Sequence, residues 1–246
     1  MTDYDRQGDI YSRWSIKETL YSVLEWHTFL QVLGSVKGLD ILDVACGDGR
    51  LSRGLMDHGA KSVLGTDISE NMIAAANEKN RPDAESHHDG LHYQTVDARD
   101  EAFRLETPVD LVTAMYLFHY ATSVDDLDRM CRFVSRNLRP GGRFVCYTIN
   151  PEYDFERQYP LMADAFGFRY KTVDPPEYRL VIGDFEAKMW QWSKAEHEGG
   201  LKKAGLTNIR WHALALPENR KDLAPSVQWY LDNPSLIVLS AEKSTG

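Results

Sequence analysis

The chain has 246 residues, of which 43% are hydrophobic, and a formal net charge of −9. This length suits one large α/β domain, or one domain with an inserted segment. The acidic balance argues against nucleic acid as a partner, because binding phosphates requires a surplus of Lys and Arg on one face. We see neither a signal peptide nor an apolar run of the ~20 residues that a membrane span needs, so we expect no membrane partner and a cytoplasmic protein.

Strand and helix patterns alternate along most of the chain. A capping box formed by Ser15 and Glu18 predicts a first helix, which ends at Gly34. The next elements are a strand in "LDILDVAC", a helix from about Arg50 to His58, a strand in "KSVLGTDI", a helix capped by Ser69 and a strand in "LHYQTVDA". After them come the strand "VDLVTAMYLF", a helix from about Ser123 to Leu138, the turn "RPGG" and the strand "RFVCYTIN". This alternation predicts βαβ units and a parallel sheet.

Two segments depart from the alternation. "LTNIRWHALALP" and "PSLIVLSAEK" show no helix between them, which predicts an antiparallel hairpin at the sheet edge. Residues 151–192 are rich in Tyr, Phe and Trp, and "PEYRLVIG" and "FEAKMWQWS" predict two extra strands there. We therefore predict an α/β fold with a Rossmann-like, seven-stranded, mostly parallel sheet, an antiparallel C-terminal edge hairpin, and helices on both faces. Its parts are an N-terminal lid (1–34), the core (35–150), an aromatic cap (151–192), and a C-terminal helix with the edge hairpin (193–246).

The turn "ILDVACGDGR" follows the first strand of this core. Gly47 and Gly49 allow close backbone approach at the carboxyl end of the sheet, where ligands bind in such folds. A dinucleotide fingerprint would have glycine where this chain has Ala45 and Ser52. The carboxylates of Asp43 and Asp48 repel a pyrophosphate and favour a ligand that carries an ammonium or sulfonium group.

Acidic residues also end the next two strands. Asp67 lies twenty residues past Gly47, where a carboxylate can accept hydrogen bonds from both hydroxyls of a ribose. Asp97 can accept from an exocyclic amine such as that of adenine. A cationic amino-acid end, a ribose and an adenine, in that order, describe S-adenosylmethionine.

On these residues the chain resembles the class I S-adenosylmethionine-dependent methyltransferases. The resemblance rests on "LDVACGDG", "GTDIS", "VDA" and the "LRPGG" turn, and extends through "AGL" to the final hairpin. Ala45 departs from the glycine that many members have. The implied cofactor is S-adenosyl-L-methionine, which leaves as S-adenosyl-L-homocysteine, with no metal.

The resemblance implies a role for each matching position. Asp43, Ala45 and Gly47 line the methionine end, Asp67 binds the ribose, Ile68 and Met72 pack on the adenine, Asp97 and Ala98 meet its edge, and Met115 lies beneath the sulfonium. "YDRQGDIYSRW" looks like an N-terminal lid over the cofactor, to which Tyr11 and Trp14 would contribute. Tyr4 is a further candidate for substrate contact.

The segment after the fourth strand bears on the acceptor. "AMYLFHYA" stands where methylases of nucleic-acid amines resemble one another in an Asn/Asp-Pro-Pro-aromatic segment, and no Pro-Cys nucleophile is present. The aromatic cap favours a small, flat acceptor held against rings. The predicted acceptor-contacting residues in the core and cap are Tyr116, His119, Tyr147 and Trp192. In size and insertion the chain resembles the toxoflavin-type azapteridine N-methyltransferases of secondary metabolism.

The predicted chemistry is an in-line displacement, in which aligned binding of donor and acceptor supplies much of the rate. His119 is the candidate general base, and Tyr116 and Tyr147 orient the acceptor. A core role stays open for His119 and for the aromatic residues of the cap. An NAD-type oxidoreductase and a non-catalytic S-adenosylmethionine-binding regulatory protein are the alternative functions, and the protein is expected to be a monomer or homodimer.

Cysteine and histidine clusters predict no further chemistry. Cys46, Cys131 and Cys146 form no CxxC pair and fit a reducing compartment. "HHDGLH" has the residue types of a metal site, but it lies in a polar connection without a matching set of ligands elsewhere. We therefore predict no metal.

Overall fold

The computed structural model describes residues 20–84, 87–156, 168–217 and 225–245. Its strands are β1 Asp40–Val44, β2 Ser62–Asp67, β3 Leu91–Thr95, β4 Val109–Met115, β5 Leu138–Ile149, β6 Arg169–Asp174, β7 Glu177–Ile182, β8 Phe185–Trp190, β9 Leu206–His212 and β10 Leu236–Lys243. Its helices are α1 Leu20–Leu33, α2 Arg50–Asp57, α3 Glu70–Lys79, α4 Val124–Asn137, α5 Lys194–Lys203 and α6 Pro225–Asp232, and a 3-10 turn spans Phe118–Tyr120.

Seven strands form the central sheet, in the order β3-β2-β1-β4-β5-β10-β9. The first five pair in parallel, and β10 is antiparallel to both β5 and β9. The predicted fold class is confirmed. The chain order reverses between β1 and β4, so the carboxyl ends of these two strands flank the position where ligands bind in open parallel sheets.

Side-chain caps begin the helices that follow the strands. The Ser69 hydroxyl accepts from the Met72 amide at 3.2 Å, and the Ser123 hydroxyl accepts from the Asp126 amide at 3.1 Å. The cap at Ser69 was predicted, whereas Ser123 was predicted only as the approximate start of its helix. In both helices a hydroxyl satisfies an amide that the first helical turn leaves without a partner. Gly34 ends α1 in the left-handed region, at φ 64°. The predicted start of that helix at Ser15 lies outside the described residues.

Hydrophobic clusters cover both faces of the sheet. One cluster joins Ile41, Val145 and Tyr147 to residues of α1, α2 and the cap. The other joins Leu42 and Val44 to residues of α4 and α5. Neighbouring residues of β1 thus enter opposite clusters, as the alternation along a strand requires. None of the helices in the described ranges has the length and apolarity needed to cross a membrane.

Two local predictions for the sheet are wrong. The helix α6 lies between β9 and β10, so these strands pair antiparallel as predicted but are not joined as a simple hairpin. β5 begins at Leu138 and continues through "RPGG", which was predicted to be a turn before the strand. Its pairing with β4 shifts register there, and Gly141 takes a left-handed φ of 72°, so the predicted turn is an irregularity within the strand.

The cap contains a separate antiparallel sheet in the order β6-β7-β8. The predicted strands correspond to β7 and β8, whereas β6 was missed. Phe155 lies at the centre of the aromatic rings in the cap, with ring centroids 4.1 Å from Tyr178, 4.7 Å from Tyr170 and 4.8 Å from Tyr153. All four side chains are buried. These rings therefore pack on one another, within the hydrophobic cluster that also covers one face of the central sheet.

Hydrogen bonds tie the cap to the central sheet beyond the end of β5. The Gln191 side-chain amide donates to the carbonyls of Asn150 at 3.0 Å and Tyr153 at 2.8 Å. The Tyr170 hydroxyl donates to Ser235 Oγ at 3.2 Å, immediately before β10. The cap is thus anchored at the edge of the sheet where the strands β1 to β5 end.

Replacing Phe155 by Ala should destabilise the protein by about 3–5 kcal/mol, because it removes a buried ring and leaves a cavity among three others. Phe155 is 3% exposed, and Val173, which is 49% exposed, provides the control. Val173→Ala should leave the free energy of unfolding nearly unchanged in urea denaturation. Equal stability of the two variants would show that the cap rings are not a structural core.

Candidate active site

The turn after β1 has an unusual backbone. Ala45, Gly47 and Gly49 all take positive φ angles, of 56°, 55° and 78°. Only glycine adopts this region without strain, so Ala45 has the conformation of the glycine that it replaces. A Cβ at Gly47 would meet no described atom within 4 Å, whereas one at Gly49 would collide with the Tyr93 ring. The turn is therefore open to a ligand at Gly47, and Gly49 accommodates Tyr93.

The Asp67 carboxylate joins this turn to the end of β2. Its Oδ2 accepts from the Gly47 amide at 2.9 Å, and its Oδ1 accepts from the Ser69 amide at 2.9 Å. Hydrogen bonds from backbone amides to an ionised carboxylate are among the stronger ones in proteins. Asp67 therefore holds the turn after β1 and the start of α3 in one arrangement.

Asp43 lies below the turn and is only 1% exposed. The Ser52 hydroxyl donates to its Oδ2 at 2.6 Å, and the Thr113 hydroxyl donates to its Oδ1 at 2.9 Å. Burial raises the pKa of Asp43 to about 7, against the lowering effect of the two hydroxyls. The negative charge of Asp67 raises it further. The site thus contains an acid that titrates near neutral pH and whose ionised form a bound cation would stabilise.

Asp48 differs from Asp43 in having a charged partner. Its carboxylate forms an ion pair with Lys79 at the end of α3, and its carbonyl accepts from Arg53 Nη1 at 2.8 Å. The prediction that Asp48 adds a negative field over the turn is wrong, because Lys79 compensates its charge. Asp43 and Asp67 remain as the acids of the turn.

The ends of β2 and β3 carry the residues that were predicted to contact adenine. Ile68 is 43% exposed, whereas Met72 and Ala98 are buried. Asp97 accepts at Oδ1 from Arg99 Nε at 2.9 Å and at Oδ2 from Arg99 Nη2 at 2.8 Å. Burial alone would raise the pKa of Asp97, but the hydrogen bonds from Arg99 outweigh it and lower that pKa. Arg99 was not predicted, although an arginine two residues after an acid at a strand end was a visible signal.

The end of β4 carries the predicted acceptor-side residues. Met115 and Tyr147 are register partners on β4 and β5. Tyr116 has a φ of 67°, its amide donates to the Tyr147 carbonyl at 2.8 Å, and the two rings meet edge to face at 5.6 Å. A positive φ at a tyrosine is strained, and such strain is concentrated at functional sites. The structure therefore brings Met115, Tyr116 and Tyr147 together.

His119 lies in the 3-10 turn after β4 and is buried. Its ring lies 5.9 Å from that of Tyr116 and 4.4 Å from that of Tyr120, between centroids. Its Nδ1 has no hydrogen-bond partner among the residues that the structure describes. Burial, and to a smaller extent His197, lowers the pKa of His119 to about 3. The imidazole is neutral at working pH, and the low pKa makes it a weak proton acceptor, so its role as a base stays a prediction.

Some predicted site residues are not brought together. Trp192 is 7% exposed, its Nε1 donates to the Ala121 carbonyl at 3.2 Å, and it packs in the cluster that covers α4 and α5. Tyr147 belongs to the cluster on the other face of the sheet, so these two rings do not form one wall. Trp192 also lies beyond the end of β8, which ends at Trp190. Tyr4, Tyr11 and Trp14 lie outside the described residues.

The described ranges hold no group of three or more His, Cys, Asp or Glu side chains that could bind a metal ion. In "HHDGLH", the His87 Nδ1 contacts the Asn80 carbonyl at 2.8 Å and its Nε2 contacts Asp89 at 3.0 Å.

Burial raises the pKa of the Cys46 thiol, and the negative charge of Asp43 raises it further. A neutral thiol is a poor nucleophile, so Cys46 adds no covalent chemistry to the turn.

Comparison with known proteins defines the class. Residues 41–142 match the family model described as a methyltransferase domain. The chain is 32% identical over 196 residues to a ubiquinone biosynthesis O-methyltransferase of Coxiella burnetii, covering 78% of this chain and 75% of that protein. It is 26% identical over 195 residues to a demethylmenaquinone methyltransferase of Bacillus licheniformis, covering 74% and 77%. A crystal structure of an S-adenosylmethionine-dependent methyltransferase from Mesorhizobium loti has the same fold, with a TM-score of 0.65 at 24% identity, over 92% of this chain and 100% of that one.

The fold and these relatives define an enzyme of the methyltransferase class. The chain belongs to the S-adenosylmethionine-dependent methyltransferases. Its turn fits the cofactor, because Gly47 leaves open space, Ile68 is an exposed apolar side chain for a base, and Asp43 is a buried acid whose charge a sulfonium or ammonium would stabilise.

The raised pKa of Asp43 predicts a pH dependence of stability. The folded state holds the Asp43 proton more tightly than the unfolded chain, in which the pKa of this carboxyl lies near 4. The contribution of Asp43 to the free energy of unfolding therefore falls as pH rises from about 4 to about 7. The change is of the order of 4 kcal/mol at most. The free energy of unfolding of Asp43→Asn, minus that of the wild type, should therefore rise as pH rises across this range. Urea denaturation without ligand measures this difference.

Asp40, on the same strand, provides the control with the opposite sign. The hydrogen bond from Lys61 lowers the pKa of Asp40, so its contribution is present at neutral pH and is lost as pH falls. Asp40→Asn should lose relative stability toward neutral pH. A difference between Asp43→Asn and wild type that stays constant from pH 4 to 8 would contradict the assignment.

Proposed function

We propose that this methyltransferase transfers a methyl group from S-adenosylmethionine to an oxygen or a nitrogen of a small, flat aromatic or heteroaromatic molecule. The main observation that supports binding of the cofactor is the arrangement of Asp67. Its carboxylate is oriented by the amides of Gly47 and Ser69 and lies beside the open face of the turn. An ionised carboxylate only accepts hydrogen bonds and has two oxygens, which supports binding of the two ribose hydroxyls there.

The other cofactor contacts follow from the same edge of the sheet. We assign the methionine end to Asp43, Ala45 and Gly47, and the sulfonium environment to Met115. The adenine would rest on Ile68, above the buried Met72, and Asp97 and Ala98 would meet its edge. The exposure of Ile68 supports this assignment, because covering a large apolar side chain with a flat base removes apolar surface from water, which stabilises the bound state.

The acceptor part is supported by the residues at the end of β4 and by the relatives. The Tyr116 ring meets the rings of His119 and Tyr147, and Met115 is the register partner of Tyr147. The similar proteins of C. burnetii and B. licheniformis carry names that refer to quinones, which are flat ring compounds. The rings of the cap pack on one another, so we propose that the acceptor is held at the end of β4. Secondary metabolism, a cytoplasmic location, and a monomeric or dimeric state stay predictions from the sequence.

The chemistry that we propose needs little from the side chains beyond placement. The cofactor, when bound, supplies a methyl group on a positively charged sulfur. Tyr116 and His119 would align the acceptor with that methyl group, and the buried cluster around Tyr147 would exclude water from it. With a pKa of about 3, His119 would act as a neutral hydrogen-bonding group, so a hydroxyl acceptor must lose its proton mainly through its own acidity.

Binding of the cofactor product tests the first part. Wild-type protein should bind S-adenosylhomocysteine in titration calorimetry, and Asp67→Asn should weaken that binding about tenfold or more, because a charge-assisted pair of hydrogen bonds to the ribose is lost. Asp40→Asn is the matched control. Asp40 begins β1 at the opposite edge of the sheet and pairs with Lys61 at 2.7 Å, so its loss should leave affinity unchanged. Unchanged affinity in Asp67→Asn would remove Asp67 from the site.

A panel of flat acceptors tests the second part. Incubation with S-adenosylmethionine and with phenols, hydroxylated quinones or azapteridines should give a methylated ring product by mass spectrometry. For a hydroxyl acceptor, the rate should rise with pH toward that hydroxyl's own pKa, and His119→Gln should keep this profile while it raises KM for the acceptor. A rate step near pH 6.5 that vanishes in His119→Gln, or transfer only to tRNA or DNA, would contradict the proposal.

A further inference from the structure

Arg99 makes a bidentate contact with Asp97, the acid that follows β3. Its Nε and Nη2 donate to the two different oxygens of Asp97, at 2.9 Å and 2.8 Å, and its backbone amide donates to Oδ1 at 2.8 Å. Parallel hydrogen bonds of this kind hold a carboxylate in one plane. The Asp97 side chain is still 36% exposed, so the pairing with Arg99 leaves part of the carboxylate accessible.

The guanidinium of Arg99 has a second anchor on α4. Its Nη1 lies 3.8 Å from Asp126 Oδ2, and this oxygen accepts from the Thr122 hydroxyl at 2.7 Å. Asp126 lies in the first turn of α4, whose position is set by the Ser123 cap. Arg99 is thus held between two carboxylates and cannot turn away from Asp97 without losing the contact with α4.

The charge of Asp97 follows from this arrangement. Burial alone would favour the neutral acid, but the contacts with Arg99 lower its pKa, and those with Asp97 raise the pKa of Arg99. An ionised carboxylate only accepts hydrogen bonds, whereas a neutral acid can also donate one. Arg99 therefore stabilises the ionised form of Asp97, which only accepts, against the effect of burial.

We propose that Arg99 is the positioning residue that sets the base specificity of the cofactor site, by holding Asp97 as an ionised, oriented acceptor. Such an acceptor takes a hydrogen bond from the 6-amino group of adenine. It repels the carbonyl that hypoxanthine carries at the same position, because two acceptors then face each other. The inference rests on the proposed function, which assigns the adenine edge to Asp97.

Two ligands that differ only in the base test this inference. Titration calorimetry would compare S-adenosylhomocysteine with S-inosylhomocysteine, in which a carbonyl replaces the amine. Wild-type protein should prefer the adenosyl ligand by about tenfold or more. In Arg99→Met this preference should fall to about threefold or less, mainly through weaker adenosyl binding. Arg99→Lys keeps the charge without the bidentate contact, so its preference for the adenosyl ligand should lie between those of the wild type and Arg99→Met.

Arg132→Met is the matched control. Arg132 on α4 pairs with Glu101 at 2.6 Å, so it links α4 to the same loop as Arg99 does but makes no contact with Asp97. This variant should keep the full preference of the wild type. Equal loss of both ligands in Arg99→Met, or loss of the preference in Arg132→Met, would overturn the proposal in favour of a merely structural link.

The remaining outcomes are also decisive. If Arg99→Met does not fold, as judged by its melting temperature, Arg99→Lys decides: an undiminished preference in that variant overturns the inference. A wild-type protein that binds both ligands equally overturns it as well, while the proposed function stands. A wild-type protein that binds neither ligand overturns the proposed function and the inference with it.

Discussion

The site depends on one carboxylate, that of Asp67, which bonds to backbone amides on two different segments. The Gly47 amide belongs to the turn after β1 and the Ser69 amide to the start of α3. Amides in such turns lack partners within secondary structure, and an acceptor with two oxygens can satisfy both. Because β1 and β2 are paired in parallel, their carboxyl ends lie side by side, and one side chain can reach both segments. This contact holds the turn at Gly47, where a Cβ would meet no described atom within 4 Å.

The acids at this edge of the sheet do not form one negative field. Asp43 is buried with two hydroxyl donors, and its pKa is raised to about 7. Asp48 is paired with Lys79, and Asp97 is paired with Arg99. Each acid is therefore adjusted by its own partner. The acid that remains sensitive to a cation is the buried Asp43, directly below the turn, and this suits a donor that carries its positive charge on sulfur or nitrogen.

The cap changes how the aromatic content of the chain is understood. A segment rich in rings favours a flat ligand, but in the described part of the cap Phe155 and its neighbours contact one another and stabilise a small three-stranded sheet. Aromatic pairs stabilise this short insertion and join it to the hydrophobic cluster on one face of the central sheet. The acceptor proposal consequently rests on the strained end of β4, where Tyr116 has a positive φ next to Met115.

The amino-acid sequence by itself determined the features that depend on near neighbours in the chain. The cap at Ser69, the helix start near Ser123, the glycine-rich turn and the alternation of strands and helices were all predicted, since each involves residues only a few positions apart. The seven-stranded, mostly parallel sheet was predicted as well, whereas the order of its strands was not.

Tertiary structure decided which partner each side chain has and which face it occupies. Lys79 lies 31 residues from Asp48, Thr113 lies 70 from Asp43, and Trp192 lies 71 from Ala121. No local pattern specifies such contacts, because they depend on how separate elements pack. The positions of Asp43, Asp67 and Asp97 at successive strand ends predicted that they belong to one site. Only the packing of separate elements decided that Asp43 is buried, that Asp67 joins two turns and that Arg99 holds Asp97.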